Sequence, residues 1–403
     1  MISVAEALQR ILDGVRTMPT ETINLAAAHG RVLARDVVAR VTQPPTNVSA
    51  MDGYAVRADD VGSVPVSLTQ IGESAAGRAF DGSVGPGQTV RIFTGAPVPE
   101  GADAIVIQED TEASGDRITM TEAAAIGRFI RPAGLDFTHG DVGITANRVL
   151  SARDVGLAAA MNVPWLTVTR RPRIALLATG DEIVRPGEPV AANQIISSNT
   201  IALMGLIKAS GGEAIDLGIA SDDAGSLRAL AAGARGADML VTMGGASVGD
   251  HDLVRQVLGQ DGLNLNFWRI AMRPGKPLLF GAIGDTPMMG MPGNPVSSLV
   301  CGIVYLRPAI RAMLGLDPHA NSMTARLGRD LPANDQRQDY LRANSSIDPA
   351  GEVIVTPFDQ QDSSMLSRLA QADCLVIRPP HAEPAKAGDR VKILPLNGES
   401  SGI

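Results

Sequence analysis

Residues 244–298 contain three glycine- and proline-rich segments: GGASVGDHD at Gly244–Asp252, RPGKP at Arg273–Pro277 and PGNPVSS at Pro292–Ser298. Each segment follows a short apolar run, as expected where a buried strand ends. These runs are Met239–Met243, Ile270–Met272 and Met288–Met291. An open parallel sheet brings the loops after its strands together at one edge, where ligands bind. The three loops offer backbone N–H groups, hydroxyls, cations and carboxylates, which suits an anionic, phosphate-bearing ligand with a divalent metal.

Around these segments, strand-like runs alternate with helical patterns. The predicted strands include Ile174–Ala178, Ala214–Ile219 and Met239–Met243. The predicted helices are Thr200–Ser210, Asp223–Arg235, Asp252–Leu258 and Pro295–Leu314. Repeated βαβ units predict a doubly wound α/β domain with a buried parallel sheet.

Outside this region the sequence pattern changes to short strand-like runs. A capping-box pattern from Ser3 to Glu6 opens an amphipathic helix, and short strand-like runs separated by Gly, Pro and Asp fill residues 42–140. Short strands return after His319. We predict four domains: a discontinuous helical and mixed N-terminal unit (1–41 and 141–169), an inserted β-domain (42–140), the α/β domain (170–318) and a C-terminal β-barrel (319–403).

Composition excludes several classes of protein. The net charge of −8 argues against a nucleic-acid-binding protein, which usually has a basic excess. The two cysteines, Cys301 and Cys374, lie in apolar surroundings and are predicted core residues, not a disulfide or a metal pair. Charged residues in the first 20 positions argue against a signal peptide, and no uninterrupted apolar run approaches the length of a membrane span. We therefore expect a cytoplasmic protein with no membrane contact.

Carboxylates at the predicted strand ends are candidate metal ligands. Asp250 and Asp252 flank a helix start, and such a pair can hold Mg²⁺ beside a phosphate. Asp222 and Asp223 open the preceding helix, although Asp223 is better explained as a helix cap. Glu182, at the end of the first α/β strand, is placed to act on metal or substrate.

Cations and hydroxyls suggest an oxyanion site nearby. Arg269, Arg273 and Lys276 are predicted to form a cationic rim, but this is not a P-loop because Pro277 follows the lysine. The PGNPVSS segment could be a bare turn before a helix, or an anion site at its first turn. The glycines of residues 244–249 alone fit a tight connection equally well.

Six motifs, in order, resemble those of the molybdopterin molybdenumtransferase family, which includes bacterial MoeA and the E domains of gephyrin and plant Cnx. They are MDGYA (Met51–Ala55), TGAPVP (Thr94–Pro99), ATGDE (Ala178–Glu182), SVGDHD (Ser247–Asp252), RPGKP (Arg273–Pro277) and PGNPVS (Pro292–Ser297). The resemblance implies the last step of molybdenum cofactor assembly, in which adenylylated molybdopterin and molybdate give molybdenum-loaded molybdopterin and AMP, with Mg²⁺. It also implies a homodimer whose active site lies between the α/β domain of one subunit and the MDGYA-bearing β-domain of the other. Molybdopterin adenylyltransferase and apo-molybdoenzymes would be further partners.

The resemblance assigns roles to the residues that match the family motifs. Catalytic roles fall on Asp52, Thr94, Asp136 and Glu182, and metal ligation on Asp222 and Asp252. The substrate-binding set is Ser198, Gly244, Gly245, Ser247, Arg269, Arg273, Lys276, Pro277, Pro292, Gly293, Asn294, Ser297, Arg342 and Ser363. The family commonly has Lys where Arg269 and Arg273 stand, and the planar guanidinium of Arg is not equivalent to an ammonium group.

Two alternatives remain open at this stage. A molybdopterin adenylyltransferase has a similar α/β domain, but it carries a Thr-Gly-Gly-Thr-Gly loop where this chain has Met243–Ser247, and it lacks MDGYA and the barrel. A non-catalytic scaffold, as gephyrin is for receptors, would be expected to carry a disordered linker or a fused partner domain, and neither is seen in the sequence.

Overall fold

The computed structural model describes residues 1–244, 253–260, 262–319 and 322–396. The chain opens with helix α1 (Val4–Asp13), and the Ser3 hydroxyl accepts a hydrogen bond from the backbone N–H of Glu6 at 3.1 Å, as the capping pattern predicts. Val4, Ala7 and Ile11 lie on one face of α1 and pack into the core of the α/β domain. This helix therefore joins the α/β domain in space, although we expected it in the N-terminal unit.

The N-terminal unit continues with two strands, β1 (Thr20–Asn24) and β2 (Val37–Val38). The chain then enters a region of short strands: β3 (Val48–Ser49), β4 (Gly53–Val56), β5 (Val66–Ser74), β6 (Gln88–Ile92), β7 (Ala104–Ile107), β8 (Thr111–Ser114), β9 (Arg117–Met120) and β10 (Ile130–Arg131). Six of them form one sheet in the order β7-β4-β6-β5-β9-β8. Separate clusters of buried, mostly aliphatic side chains pack on this sheet, so the region has its own core.

The chain then returns to the N-terminal unit through β11 (Val142–Ile144), helix α2 (Ala152–Ala160) and β12 (Trp165–Thr169). Strand β11 pairs with β2, and β12 pairs with β1, both antiparallel. Leu33, Leu150 and Leu166 share one buried cluster, which joins the two halves of the unit. The region between β2 and β11 is therefore inserted into a unit that closes around it.

The α/β domain follows. Its elements are β13 (Arg173–Thr179), β14 (Ile183–Val184), β15 (Ile195–Ile196), α3 (Asn199–Ala209), β16 (Glu213–Ala220), α4 (Ala224–Ala231), β17 (Met239–Met243), α5 (Leu253–Gln260), β18 (Leu263–Phe267), β19 (Met272–Arg273), β20 (Leu279–Ile283), β21 (Thr286–Met291), α6 (Pro295–Cys301) and α7 (Arg307–Met313). The central sheet has the order β16-β13-β17-β21-β20-β18. Buried clusters cover both of its faces, as expected for a doubly wound sheet.

Two expectations about this sheet are corrected. The sheet is mixed, because β20 runs antiparallel to both β21 and β18. The apolar run Ile270–Met272, expected as a sheet strand, contributes only Met272 to the short strand β19, which pairs with the C-terminal domain. RPGKP therefore precedes β20 and does not follow a strand of this sheet. Because β20 runs opposite to its neighbours, its start still lies at their carboxyl ends.

The last helical segment of the domain is the longest. Helix α6, a π-helical turn over Gly302–Leu306 and helix α7 run continuously from Pro295 to Met313. Among the described residues, this is the one helix long and apolar enough to cross a membrane, yet 78% of the apolar window is buried inside the protein. Cys301 is fully buried within it, as predicted.

The C-terminal domain contains β22 (Met323–Leu327), β23 (Gln338–Ile347), β24 (Val353–Pro357), α8 (Leu366–Gln371), β25 (Cys374–Arg378) and β26 (Arg390–Pro395). Strands in the order β23-β24-β22-β26-β25 close through a β23–β25 pairing into a five-stranded barrel, which confirms the predicted C-terminal β-barrel. Strand β19 adds to the barrel in parallel with β23, and this pairing ties the RPGKP segment to the barrel.

Candidate functional site

Gly244, which begins the first Gly- and Pro-rich segment, meets the RPGKP and PGNPVSS segments at the carboxyl edge of the α/β sheet. Strand β13 connects through α3 to β16 on one side, while β17 lies on its other side, so the crevice between β13 and β17 is the topological switch point. A cleft of about 660 Å³ opens there. Eight of the predicted site residues line it: Glu182, Ser198, Gly244, Pro277, Pro292, Gly293, Asn294 and Ser297. The other residues of the first segment, 245–252, include Gly245, Ser247 and Asp252 and lie outside the described residues.

Close backbone packing forms the floor of this cleft. Gly244 has a φ of 89°, and a Cβ atom there would stand 2.7 Å from the carbonyl oxygen of Thr179. Only glycine fits such a position without strain. Asn199 donates from Nδ2 to the Gly293 carbonyl at 2.7 Å and so holds the PGNPVSS loop against α3. Ser198, the residue that caps α3, makes no capping bond with its side chain, so its hydroxyl is available to a ligand.

The barrel contributes to the rim through Ser363. The Oγ of Ser363 accepts a hydrogen bond from Asn294 Nδ2 at 2.9 Å, and its carbonyl accepts from the backbone N–H of Val296 at 3.2 Å. The structure thus brings the predicted Ser363 to the PGNPVSS loop.

Arg342 is buried and contacts the loop that carries Ser363, without lining the cleft itself. It is 1% exposed, and burial lowers the pKa of its guanidinium. Its Nε donates to Gln361 Oε1 at 3.0 Å and its Nη1 to the Asp362 carbonyl at 2.7 Å. Arg342 does not line the cleft, but these bonds fix the loop that presents Ser363. Gln361 has no sequence motif, so the sequence could not single it out.

The three cations of the predicted rim lie in different environments. Arg269 stacks on the Trp268 ring with its guanidinium carbon 4.1 Å from the ring centroid. Arg273 turns toward the barrel and forms an ion pair with the buried Asp339. Lys276 is exposed and forms no ion pair with any residue that the structure describes. Within those residues, Lys276 is the rim cation whose charge is not already balanced by a carboxylate or held over a ring.

Two carboxylates stand at the same edge. The backbone N–H of Asp222 donates to Asp181 Oδ1 at 3.0 Å, and both side chains are exposed. Asp223 instead caps α4, and the N–H groups of Gly225 and Ser226 lower its pKa. No group of three potential ligands occurs among the described residues. One or two carboxylates are what Mg²⁺ takes when substrate phosphates complete its shell, so the donors present fit that metal.

A second cluster lies in the inserted β-domain. Asp52 Oδ1 accepts hydrogen bonds from both the backbone N–H and the hydroxyl of Thr94, each at 2.7 Å. These bonds lower the pKa of Asp52, with the backbone N–H contributing most. Asp136 is exposed in the loop after β10, where its N–H donates to the Gln43 carbonyl.

The two clusters belong to different parts of one chain. No hydrogen bond between described residues joins 42–140 to 170–318. The MDGYA motif and the α/β cleft therefore do not assemble into one site through direct contacts of that kind.

Comparisons with known proteins agree with this architecture. Family models match three consecutive parts of the chain. The MoeA N-terminal region (domains I and II) matches residues 2–162, a probable molybdopterin binding domain matches 175–312, and the MoeA C-terminal region (domain IV) matches 324–396. The family matches thus include the inserted β-domain and the barrel as well as the α/β domain.

Individual relatives are similar along the whole chain. A Nostoc sp. protein named molybdopterin molybdenumtransferase is 34% identical, with 94% of this chain and 89% of that protein covered. A Haemophilus influenzae protein of the same name is 32% identical, with 98% and 99% covered. The crystal structure of a molybdopterin biosynthesis MoeA protein from Pyrococcus horikosii is 30% identical, has a TM-score of 0.86, and is matched over 99% of this chain and 100% of that chain.

Proposed function

The chain belongs to the molybdopterin molybdenumtransferase family, and we propose that it inserts molybdate into adenylylated molybdopterin with release of AMP. The observation that carries this proposal is the cleft at the switch point of the α/β sheet. The Ser198 hydroxyl and the backbone of Gly244 and Gly293 line it, and Asn199 and Ser363 hold its PGNPVSS rim. Exposed Lys276 directly precedes Pro277, which also lines the cleft. Such a cleft suits a ligand with phosphate groups and a tetrahedral oxyanion.

In this proposal the protein acts mainly by positioning and charge stabilisation. The glycine-lined floor admits the phosphate-bearing end of the substrate close to the backbone. Lys276 supplies positive charge for molybdate, with the hydroxyls of Ser297 and Ser363 at the rim. Asp52, held ionised by Thr94, is the acidic group that the β-domain brings to the reacting phosphate.

Magnesium is the cofactor that we propose for this site. Asp222 at the described edge, together with Asp252 of the first segment, would hold the ion beside the substrate phosphates. When bound, Mg²⁺ neutralises charge on the phosphoanhydride. Chelation should therefore stop AMP release, and added Mg²⁺ should restore it.

We further propose that the active unit is a homodimer. The support is that the Asp52 cluster and the α/β cleft share no hydrogen bond within the described chain, so a second subunit could bring them together. Transfer from a molybdopterin adenylyltransferase, delivery to apo-molybdoenzymes and a cytoplasmic location remain expectations of the resemblance and of the sequence. The family match over residues 2–162 and 324–396 favours the molybdenumtransferase over the adenylyltransferase alternative.

One experiment tests the activity directly. Purified protein is incubated with adenylylated molybdopterin, Mg²⁺ and molybdate, and AMP is followed over time. We expect molybdate-dependent AMP release, reduced about 100-fold or more in Asp52→Asn, which keeps an oxygen for Thr94 but loses the charge. Folding of the variant is checked by circular dichroism. No AMP from the wild-type protein would contradict the proposed function, whereas full activity of the variant would remove Asp52 from it.

A further inference from the structure

Arg91 occupies an unusual place beside the MDGYA motif. It lies on β6, in register with Tyr54 of β4. Its guanidinium carbon stands 4.9 Å from the centroid of the Tyr54 ring and 5.1 Å from that of the Phe93 ring. Two aromatic faces therefore hold this cation at a defined position through cation–π attraction. None of the six motifs includes Arg91, which lies three residues before Thr94.

The same guanidinium holds the main chain that carries Asp52. Arg91 Nη1 donates to the Gly53 carbonyl at 3.2 Å, and Nη2 donates to Gln108 Oε1 at 2.6 Å. The backbone N–H of Gln108 in turn donates to the Asp52 carbonyl at 3.1 Å. Two consecutive carbonyls, of Asp52 and Gly53, are thus fixed by one connected pair of residues. On the other side, Thr94 fixes the Asp52 carboxylate.

We propose that Arg91 is a positioning residue for the reaction: it fixes the turn that carries Asp52 and places a positive charge beside its carboxylate. This inference rests on the proposed function, in which Asp52 is catalytic. Arg91 acts through Gly53, Gln108 and the electric field at Asp52, without a role as a substrate ligand. A bidentate, stacked guanidinium is required for this geometry, and a lysine ammonium can supply only the charge.

The charges around Asp52 determine the direction in which its pKa changes when Arg91 is replaced. The two Thr94 hydrogen bonds lower the pKa of Asp52 most, and the Arg91 charge lowers it by a smaller amount. The nearby acidic groups are Glu73, which lies opposite Arg91 on β5, and Glu109, which accepts from the Gln108 side chain at 3.3 Å. Removing Arg91 takes a positive charge away from the surroundings of Asp52, so the pKa of Asp52 rises. If the activity needs ionised Asp52, the acid limb of its pH profile then moves to higher pH.

The test compares Arg91→Gln and Arg91→Lys with a matched control. Arg128→Gln is the control because Arg128 also stacks on a ring, that of Phe129 at 5.1 Å, and is paired with Glu122 in the same domain. AMP release is measured against pH, with kcat and KM determined separately. For Arg91→Gln we expect kcat to fall about tenfold, with little change in KM, and the acid limb to move to higher pH. Arg91→Lys should restore the acid limb but not the full kcat, and Arg128→Gln should behave as wild type.

A second readout does not depend on activity. Carboxyl ¹³C NMR of protein labelled at aspartate, with the Asp52 signal assigned from Asp52→Asn, gives the titration midpoint of Asp52. In Arg91→Gln this midpoint should move to higher pH, and in Arg91→Lys it should stay near wild type. An unchanged midpoint in Arg91→Gln, or a wild-type pH profile and kcat, would overturn the inference. If wild type releases no AMP but the Asp52 midpoint still shifts in Arg91→Gln, the proposed function is overturned and the effect of Arg91 on Asp52 stands.

Discussion

Gly244 and Gly293 lie next to each other on the floor of the cleft, yet they should respond differently to the same added methyl group. At Gly244 the φ of 89° opposes a side chain, and so does the Thr179 carbonyl, which would stand 2.7 Å from an added Cβ. At Gly293 φ is not positive, and the nearest atom would be the Gly244 Cα at 3.8 Å. Gly244→Ala should therefore cost about 1–3 kcal/mol of unfolding free energy, and Gly293→Ala less than about 0.5 kcal/mol.

Urea unfolding of the two variants beside wild type checks this pair. Both glycines line the cleft, and they differ in φ and in the atom that an added Cβ would meet. Equal stability of the two variants would show that the close approach of Gly244 to Thr179 does not constrain the fold.

Individual residues differ in how well their roles can be read from sequence. Ser3 and Asp223 cap helices through contacts within a few residues, so local pattern is enough to predict them. Arg342 matches a family position, but its bonds to Gln361 and Asp362 lie some 20 positions away and turn it from the cleft toward the loop it supports. Such contacts depend on tertiary packing and leave no local signature.

At the scale of elements, the RPGKP segment shows a case in which the apolar pattern does not predict the sheet that a strand joins. Its preceding apolar run is three residues long, too short to reveal which sheet it enters. The strand that forms, β19, is completed by a partner strand in the barrel some 65 residues later. The five-residue run Met239–Met243, by contrast, is a strand with the predicted bounds, because its continuous apolar character is visible in the sequence.

The β19–barrel contact makes an asymmetric prediction about stability. Asp339 is 3% exposed, and burial raises its pKa although Arg273 opposes the rise, whereas the Arg273 side chain is 47% exposed. Arg273→Met leaves a buried carboxylate with its ion pair broken and should cost about 2 kcal/mol. Asp339→Asn leaves Arg273 in water near Asp335 and should cost less than about 1 kcal/mol.

The cost of Arg273→Met should also depend on pH. Without the guanidinium the folded-state pKa of Asp339 rises further above its unfolded value, so the folded protein loses stability as pH rises through that range. Below the unfolded pKa the carboxyl is protonated in both states and the ion pair is absent. Denaturation measured near pH 4 and near pH 7 should therefore show the larger loss at pH 7. A pH-independent loss would mean that packing of the Arg273 side chain, and not its charge, stabilises the contact.

At the scale of the whole molecule, the change in texture near residue 42 and near residue 140 predicts an inserted domain, and the strand pairs β1–β12 and β2–β11 show how the host unit closes around it. The sequence pattern does not predict which surfaces of the domains contact each other. The packing of helix α1 against the α/β core depends on which surfaces meet in space.

The proposed homodimer makes a prediction that separates a shared site from a site within one subunit. Asp52→Asn inactivates the β-domain contribution, and Glu182→Gln inactivates the α/β contribution. If each site combines the β-domain of one subunit with the α/β domain of its partner, a mixed dimer of the two variants contains one intact site and one site with both changes. Random re-association should then recover about a quarter of wild-type AMP release from two inactive proteins, because half of the dimers are mixed and half of their sites are intact.

The measurement is AMP release after the two variants are unfolded together, refolded and isolated at the size of a dimer. Each variant refolded alone is the control, and each should remain inactive. Recovery would require that Asp52 and Glu182 act from different chains, in line with the lack of a hydrogen bond between their regions among the described residues. Activity no greater than that of the controls, with mixed dimers shown by mass spectrometry to be present, would place both residues in the same subunit's site. The two clusters would then have to approach each other by movement of the inserted domain within one chain.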